Sequence, residues 1–229
     1  MNDRFSLAIG VITTPRIDVD VVRTVAALRS GGFDVPLHLF CEPGTPLDVD
    51  IDSVVFHKND ERRGALGNWR HCLRWLREHC NADYLLVCED DVEYCRGAKS
   101  SLFQGLEALR NFGFLSLYTP KRDAPSHTVE EGWFEANFGR RACGAQSMCF
   151  SRNSAAVLLD FPRLEMENSL SGPTDTIVSE CFLTHVTPCY YHRPSLANHI
   201  GRQSTIGHEW FDAHTGFEFD PEYVPTHLK

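Results

Sequence analysis

Short β-rich runs alternate with amphipathic helical segments along most of the chain, and this alternation limits the folds open to it. Phe5–Thr14, Leu37–Cys41, Ser53–His57, Tyr84–Cys88, Phe114–Tyr118 and Ala145–Phe150 read as strands, with Cys189–His192 as the last. Val21, Val22, Val25 and Leu28 recur at helical spacing in a segment that Asp18 can cap and Gly31-Gly32 can stop. Leu66, Trp69, Leu73 and Leu76 mark a helix over Leu66–Cys80; Leu102, Leu106 and Leu109 mark another over Ser101–Asn111. Ser151 can cap a fourth helix, and Pro173 can open a fifth that runs to about His185. Strand and helix in alternation predict an α/β fold: a mainly parallel sheet flanked by helices. In such sheets ligands gather outside the carboxyl ends of the strands.

The 229 residues suit a single domain, and a hydrophobic share of 42% supplies its core. Acidic residues exceed basic ones by 31 to 22, a net charge of −9, which disfavours generic binding to nucleic acid or anionic membrane. The nine cysteines include no C-x-x-C pair, and several lie in apolar runs, so buried thiols fit better than zinc ligands or disulfides. The first residues lack a signal-peptide pattern, and no apolar run approaches the roughly 20 residues of a membrane span. The expectation is a soluble, cytoplasmic protein.

The run Tyr84–Cys88 ends in Glu89-Asp90-Asp91, three carboxylates in a row where a ligand site is expected. Adjacent carboxylates repel one another, and a divalent cation with oxygen ligands, Mg²⁺ or Mn²⁺, removes that cost. Magnesium is typically held by one or two carboxylates together with substrate phosphates, which points to a phosphorylated substrate. A solvated acidic turn is the alternative. The chain has neither G-x-x-x-x-G-K-[ST] nor G-x-G-x-x-G after its first strand, which disfavours P-loop and dinucleotide enzymes. The first strand leads instead into Thr13-Thr14-Pro15-Arg16, where Thr13, Thr14 and Arg16 can meet a base, ribose or phosphate, or simply make a strand-to-helix turn.

The order of these features resembles the GT-A class of nucleotide-sugar-dependent glycosyltransferases. Glu89-Asp90-Asp91 matches their D-x-D-type motif in an E-D-D form. Gly64–Leu76 (GALGNWRHCLRWL) looks like the helix before that motif, which would bring Asn68 to the donor. Cys143–Arg152 (CGAQSMCFSR) looks like the glycine-containing segment before a strand of the acceptor half, with Gly144 and Gln146 near donor sugar or acceptor. Gly172–Phe182 looks like the helix start bearing the catalytic carboxylate of inverting members, and Asp175 falls on that position. Tyr190–Thr205 resembles a late segment with a metal-binding histidine. Its P-S-L-x-x-H-I-G pattern is similar to the branching N-acetylglucosaminyltransferase IV family, and His199 is the matching residue.

The resemblance implies a single GT-A-like domain over 1–229: a nucleotide-sugar half to about 95, an acceptor and catalytic half to about 205, and a C-terminal tail over 206–229. It implies Mn²⁺ or Mg²⁺ held by Asp91 and His199, and a UDP-sugar or other nucleoside-diphosphate sugar as donor. Glu89, Asp90, Thr13, Thr14, Arg16, Asn68, Gly144 and Gln146 would face that donor, and Asp175 would act as general base in an inverting transfer. Asp175 can equally serve the helix dipole. His208 is the rival to His199.

The acceptor would bear a hydroxyl, on a glycan or lipopolysaccharide sugar or on a hydroxymethylated base of phage-type DNA. Arg63, Arg70, Arg74 and Arg77 share roughly one helix face, either a solvated face or a strip for a polyanionic acceptor. Trp133, Phe134 and Phe138 lie in a stretch without periodicity, as an acceptor-facing loop or as core plugs. Two other functions compete: a sugar-phosphate nucleotidyltransferase, and a non-catalytic sugar-nucleotide binder. The sequence leaves the oligomeric state open.

Overall fold

The computed structural model describes residues 5–15, 21–46, 53–123, 131–136, 144–166, 173–201 and 215–226. Among the described residues, ten strands and six α-helices follow in order: β1 (Leu7–Thr13), α1 (Val21–Ser30), β2 (Leu37–Cys41), β3 (Val54–Lys58), α2 (Gly64–His79), β4 (Tyr84–Glu89), β5 (Val92–Tyr94), α3 (Ala98–Ala108), β6 (Leu115–Ser116), β7 (Gly132–Glu135), β8 (Ser147–Ser151), α4 (Arg152–Leu159), α5 (Pro162–Met166), α6 (Thr174–Thr184), β9 (Tyr190–Arg193) and β10 (Ala197–His199). Eight strands form one sheet in the order β3-β2-β1-β4-β8-β6-β9-β7, and β10 pairs with β5 in a small ribbon.

The first four strands of that order are parallel. β8 runs antiparallel between β4 and β6, β6 pairs parallel with β9, and β7 closes the edge antiparallel to β9. This is the predicted mainly parallel α/β sheet, with a mixed second half. Every residue of β1 is buried, as expected of a strand covered on both faces. Leu7, Ile9 and Val11 join one core with α1 and α3; Ala8 and Ile12 join the other with α2, α4 and α6. The chain leaves β1 for β2 and β3 on one side, then crosses back to β4 on the other. That reversal puts the carboxyl ends of β1 and β4 at a topological switch point, where such sheets carry the crevice that ligands use.

Several local expectations hold. α1 stops at Gly31-Gly32, where Gly32 has φ +90 and the Gly31 amide donates to the Ala27 carbonyl. Ser151 caps α4 by accepting from the Ser154 amide at 3.0 Å. Asp18, expected to cap α1, lies outside the described residues. Three strands and one short helix were not expected: β5, β7, β10 and α5. Cys189–His192 therefore does not hold the last strand, since β10 follows it. The eight described cysteines are free, and all but Cys80 are buried. No helix among the described residues is long and apolar enough to cross a membrane.

Candidate active site

β4 carries the buried run Leu85–Cys88 to the crevice and ends on Glu89. Asp90 and Asp91 make the turn into β5, and they are only 1% and 2% exposed, so this is not a solvated acidic turn. The neighbours part. The Thr13 hydroxyl donates to the Asp90 carboxylate, linking the ends of β1 and β4 across the crevice. The Thr24 hydroxyl of α1 donates to the Asp90 carbonyl at 2.8 Å and accepts from the Val92 amide at 3.0 Å. Glu89 and Asp91 converge instead on His199, each of the three offering a ligand atom within 4.8 Å of the others.

The β5–β10 ribbon brings His199 there. His199 stands opposite Val92 in the register, and the Ile200 amide donates to the Asp91 carbonyl at 2.8 Å. His199 Nε2 lies 3.1 Å from Asp91 Oδ2. Upstream, Ser195 locks the approach: its amide donates to the Phe217 carbonyl at 2.8 Å, and its hydroxyl accepts from the Thr119 amide at 2.9 Å. Just beyond, Gly201 passes so close that a Cβ there would sit 3.0 Å from Asp91 Cγ and 3.0 Å from His199 Nε2. The backbone at 201 thus lies directly against the donor set, with no room there for a side chain. His208, the rival ligand, lies outside the described residues.

The other wall comes from the start of β8. The Glu89 amide donates to the Gln146 carbonyl at 3.0 Å, which seats Gly144–Gln146 beside the carboxylates. Gly144, at φ +84, donates its amide to Asp175 Oδ2 at 3.0 Å, while Asp175 Oδ1 accepts from the Thr176 amide at 2.7 Å. Asp175 therefore serves the first turn of α6 and also ties that turn to the Gly144 loop. The Gln146 side-chain oxygen is buried with no hydrogen-bond partner among the described residues.

The structure gives Asn68 a bracing position. Its amide donates to the carbonyls of Thr13 at 3.2 Å and Phe40 at 3.0 Å, and its oxygen accepts from Asn59 at 2.9 Å. Both donor hydrogens are spent on strand ends, so Asn68 fixes the crevice wall. Glu42 completes the brace: 3% exposed, it accepts from Asn59 Nδ2 at 3.0 Å and from the Arg63 and Gly64 amides at the start of α2. Thr14 follows half-buried at the end of β1, and Arg16 lies outside the described residues.

The arginine face of α2 is not an open strip. Arg70 donates to the Leu164 carbonyl at 2.8 Å and pairs with Glu165 at 3.3 Å; Arg74 also pairs with Glu165. α5, which periodicity did not reveal, supplies these partners. Trp133 and Phe134 plug the core from β7: Trp133 Nε1 donates to the Ser101 carbonyl at 2.9 Å, and Phe134 packs on Tyr191 with centroids 6.1 Å apart. Phe138 lies outside the described residues.

Two carboxylates and an imidazole at this spacing suit a hard or borderline divalent cation such as Mg²⁺ or Mn²⁺. The negative field reaches the neighbouring Cys88 thiol, which burial, followed by Glu89, Asp90 and Asp91, pushes up to about 12. Sequence reasoning missed Thr24, Glu42 and Gly201. Thr24 was visible only as a hydroxyl on an otherwise apolar helix face, and Gly201 as the glycine two places after His199.

No protein-family model matches the chain, and no curated protein matches it in sequence. Solved structures do match its fold. The crystal structure of GalNAc-T7 with UDP, GalNAc and Mn²⁺ superposes with a TM-score of 0.67 at 8% identity, covering 87% of this chain. The chain spans 44% of that one. The fold is therefore that of GT-A glycosyltransferases.

Proposed function

We propose that the chain is a metal-dependent glycosyltransferase that moves a sugar from a nucleoside-diphosphate sugar to a hydroxyl of a glycan acceptor. The observation that carries this reading is the convergence of Glu89, Asp91 and His199 at the switch-point crevice of a GT-A fold. GalNAc-T7, crystallised with UDP, GalNAc and Mn²⁺, supports the same ligand classes here. Asp91 and His199 would hold Mn²⁺ or Mg²⁺, with Glu89 beside them. Such an ion neutralises charge on the diphosphate as the bond to the anomeric carbon breaks.

The chain's own groups do the rest. The nucleotide lies over the ends of β1 and β4, against Thr13 and Thr14, while Asn68 and Glu42 keep those ends in register. Gly144 and Gln146 line the sugar, and the buried Gln146 oxygen accepts from a sugar hydroxyl. Asp175 takes the proton of the attacking hydroxyl. A carboxylate offers about four acceptor positions, and the backbone amides of Gly144 and Thr176 use two of them, fixing its direction. Attack from the Asp175 side, opposite the diphosphate, inverts the anomeric centre. The pairing of Arg70 and Arg74 with Glu165 removes the main structural motive for a polyanionic acceptor.

The test is a screen of nucleoside-diphosphate sugars with Mn²⁺ against oligosaccharides, read by mass spectrometry and by the phosphate species released. A transferase releases a nucleoside diphosphate; in a parallel reaction supplied with a sugar 1-phosphate and a nucleoside triphosphate, a nucleotidyltransferase would release pyrophosphate and a transferase would not. Asp91→Ala should abolish metal-dependent donor binding, and Asp175→Asn should keep binding but lose about 10²-fold or more in turnover. An Asp175→Asn variant of full activity would remove the base assignment; donor binding indifferent to metal would remove the role of Asp91.

A further inference from the structure

We propose that Thr24, on α1, is the positioning residue that sets the direction of Asp91 toward its cation; this rests on the metal reading above. Thr24 is fully buried on the helix face that also carries Val21, Val25 and Leu28, where an apolar residue would ordinarily pack. A buried hydroxyl needs partners, and Thr24 has two. Its Oγ1 donates to the Asp90 carbonyl at 2.8 Å and accepts from the Val92 amide at 3.0 Å.

Those two groups belong to the peptide planes on either side of Asp91. The carbonyl of Asp90 lies in the plane entering the Asp91 Cα, and the amide of Val92 lies in the plane leaving it. One hydroxyl therefore pins both planes, which fixes φ and ψ of Asp91 and so the direction of its Cα–Cβ bond. The leaving plane is gripped from its other edge as well, since the Asp91 carbonyl accepts from the Ile200 amide at 2.8 Å. Thr24 and β10 thus clamp one peptide between them, and β10 carries His199. Outer-shell partners of metal ligands typically contribute 10- to 100-fold to metal affinity.

The experiment titrates Mn²⁺ alone into the wild-type chain, Thr24→Val and Thr24→Ser, without sugar nucleotide. Bound metal is followed by the loss of the free-ion electron paramagnetic resonance signal, and thermal melts run alongside. Thr24→Val keeps the packing and removes the hydroxyl, and should weaken Mn²⁺ binding about 10- to 100-fold. Thr24→Ser keeps the hydroxyl and leaves a methyl-sized void; it should melt earlier yet bind Mn²⁺ within about threefold of wild type. Thr24→Val leaves the buried Asp90 carbonyl and Val92 amide without their partner and should melt earlier as well, so Mn²⁺ affinity, not stability, separates the two variants. Mn²⁺ affinity that simply tracks the melting temperature, or that is unchanged in Thr24→Val, overturns the assignment. A wild-type chain that binds no Mn²⁺ overturns the metal reading itself, and this inference with it.

Discussion

Replacing Gly201 with alanine should empty the candidate metal site while leaving the fold in place. The added Cβ would lie 3.0 Å from Asp91 Cγ and 3.0 Å from His199 Nε2, and closer still to Asp91 Oδ2. Unstrained heavy-atom contacts of carbon fall at about 3.5–4.0 Å, so each group has to retreat by about 0.5 Å or more. Metal sites are defined to within about 0.2 Å in their ligand distances. Both retreating groups are proposed ligands, which puts the loss of Mn²⁺ affinity at about 100-fold or more, at or beyond the upper end of outer-shell effects. The backbone of Gly201 lies outside the left-handed region, so alanine brings no dihedral strain. It also removes some freedom from the unfolded chain, a contribution of about 0.4–1 kcal/mol to stability that partly offsets the local crowding. Calorimetric titration with Mn²⁺ at neutral pH, beside a thermal melt, reads both quantities. A Gly201→Ala chain that folds and binds Mn²⁺ as tightly as wild type would refute the placement of the site between Asp91, His199 and the 201 backbone.

Stability should fall in mild acid. His192 is 1% exposed, and burial draws its imidazole down to about 4, with His57 drawn down similarly by burial and by nearby histidines. An unfolded histidine takes its proton near 6.5, so between about 6.5 and 4 the unfolded state binds more protons than the folded one. Folding free energy is then lost as pH drops through that window, at about 1.4 kcal/mol per pH unit for the buried His192, and is flat above it. Denaturant melts across that range should show the slope, and His192→Asn should reduce it, leaving the part due to His57; a pH-independent midpoint would contradict the burial. Thiol labelling offers a further check. Burial pushes Cys88 up to about 12 and Cys72 well above its ordinary value, so both should resist alkylation in the native state, and half-buried Cys80 should react first among the described cysteines. Peptide mapping after brief labelling decides it.

The parallel half of the fold was legible because its strands are buried on both faces and its helices carry whole apolar stripes. Leu37–Cys41 matches β2 residue for residue, and the expected limits of β1, β3, β4 and α2 fall within two residues of those observed. The antiparallel half was not legible in the same way. β5 and β10 are three residues each, too short to show a period of two. Their pairing depends on partners far along the chain: Val92 meets His199, and Trp133 meets His192. Trp133 and Phe134 looked like loop aromatics because the strand that explains them, β9, lies some sixty residues away in sequence.

Glu89-Asp90-Asp91 shows why a motif alone under-determines a site. In sequence the three carboxylates are equivalent, and their mutual repulsion is the whole signal. In the structure the turn at the end of β4 divides them. Asp90 is turned back to the Thr13 hydroxyl and braces β1 against β4. Asp91 is aimed across the ribbon at His199, and Glu89, still in the ladder through the Gln146 carbonyl, faces the same point. The sorting follows from which peptide planes are held: Thr24 on one edge, Ile200 on the other. None of these partners is near the motif in sequence, yet each is needed to turn a run of charge into a directed set of ligands. A donor set of this kind is therefore better sought as a turn gripped by two outside elements than as a spacing of acidic residues.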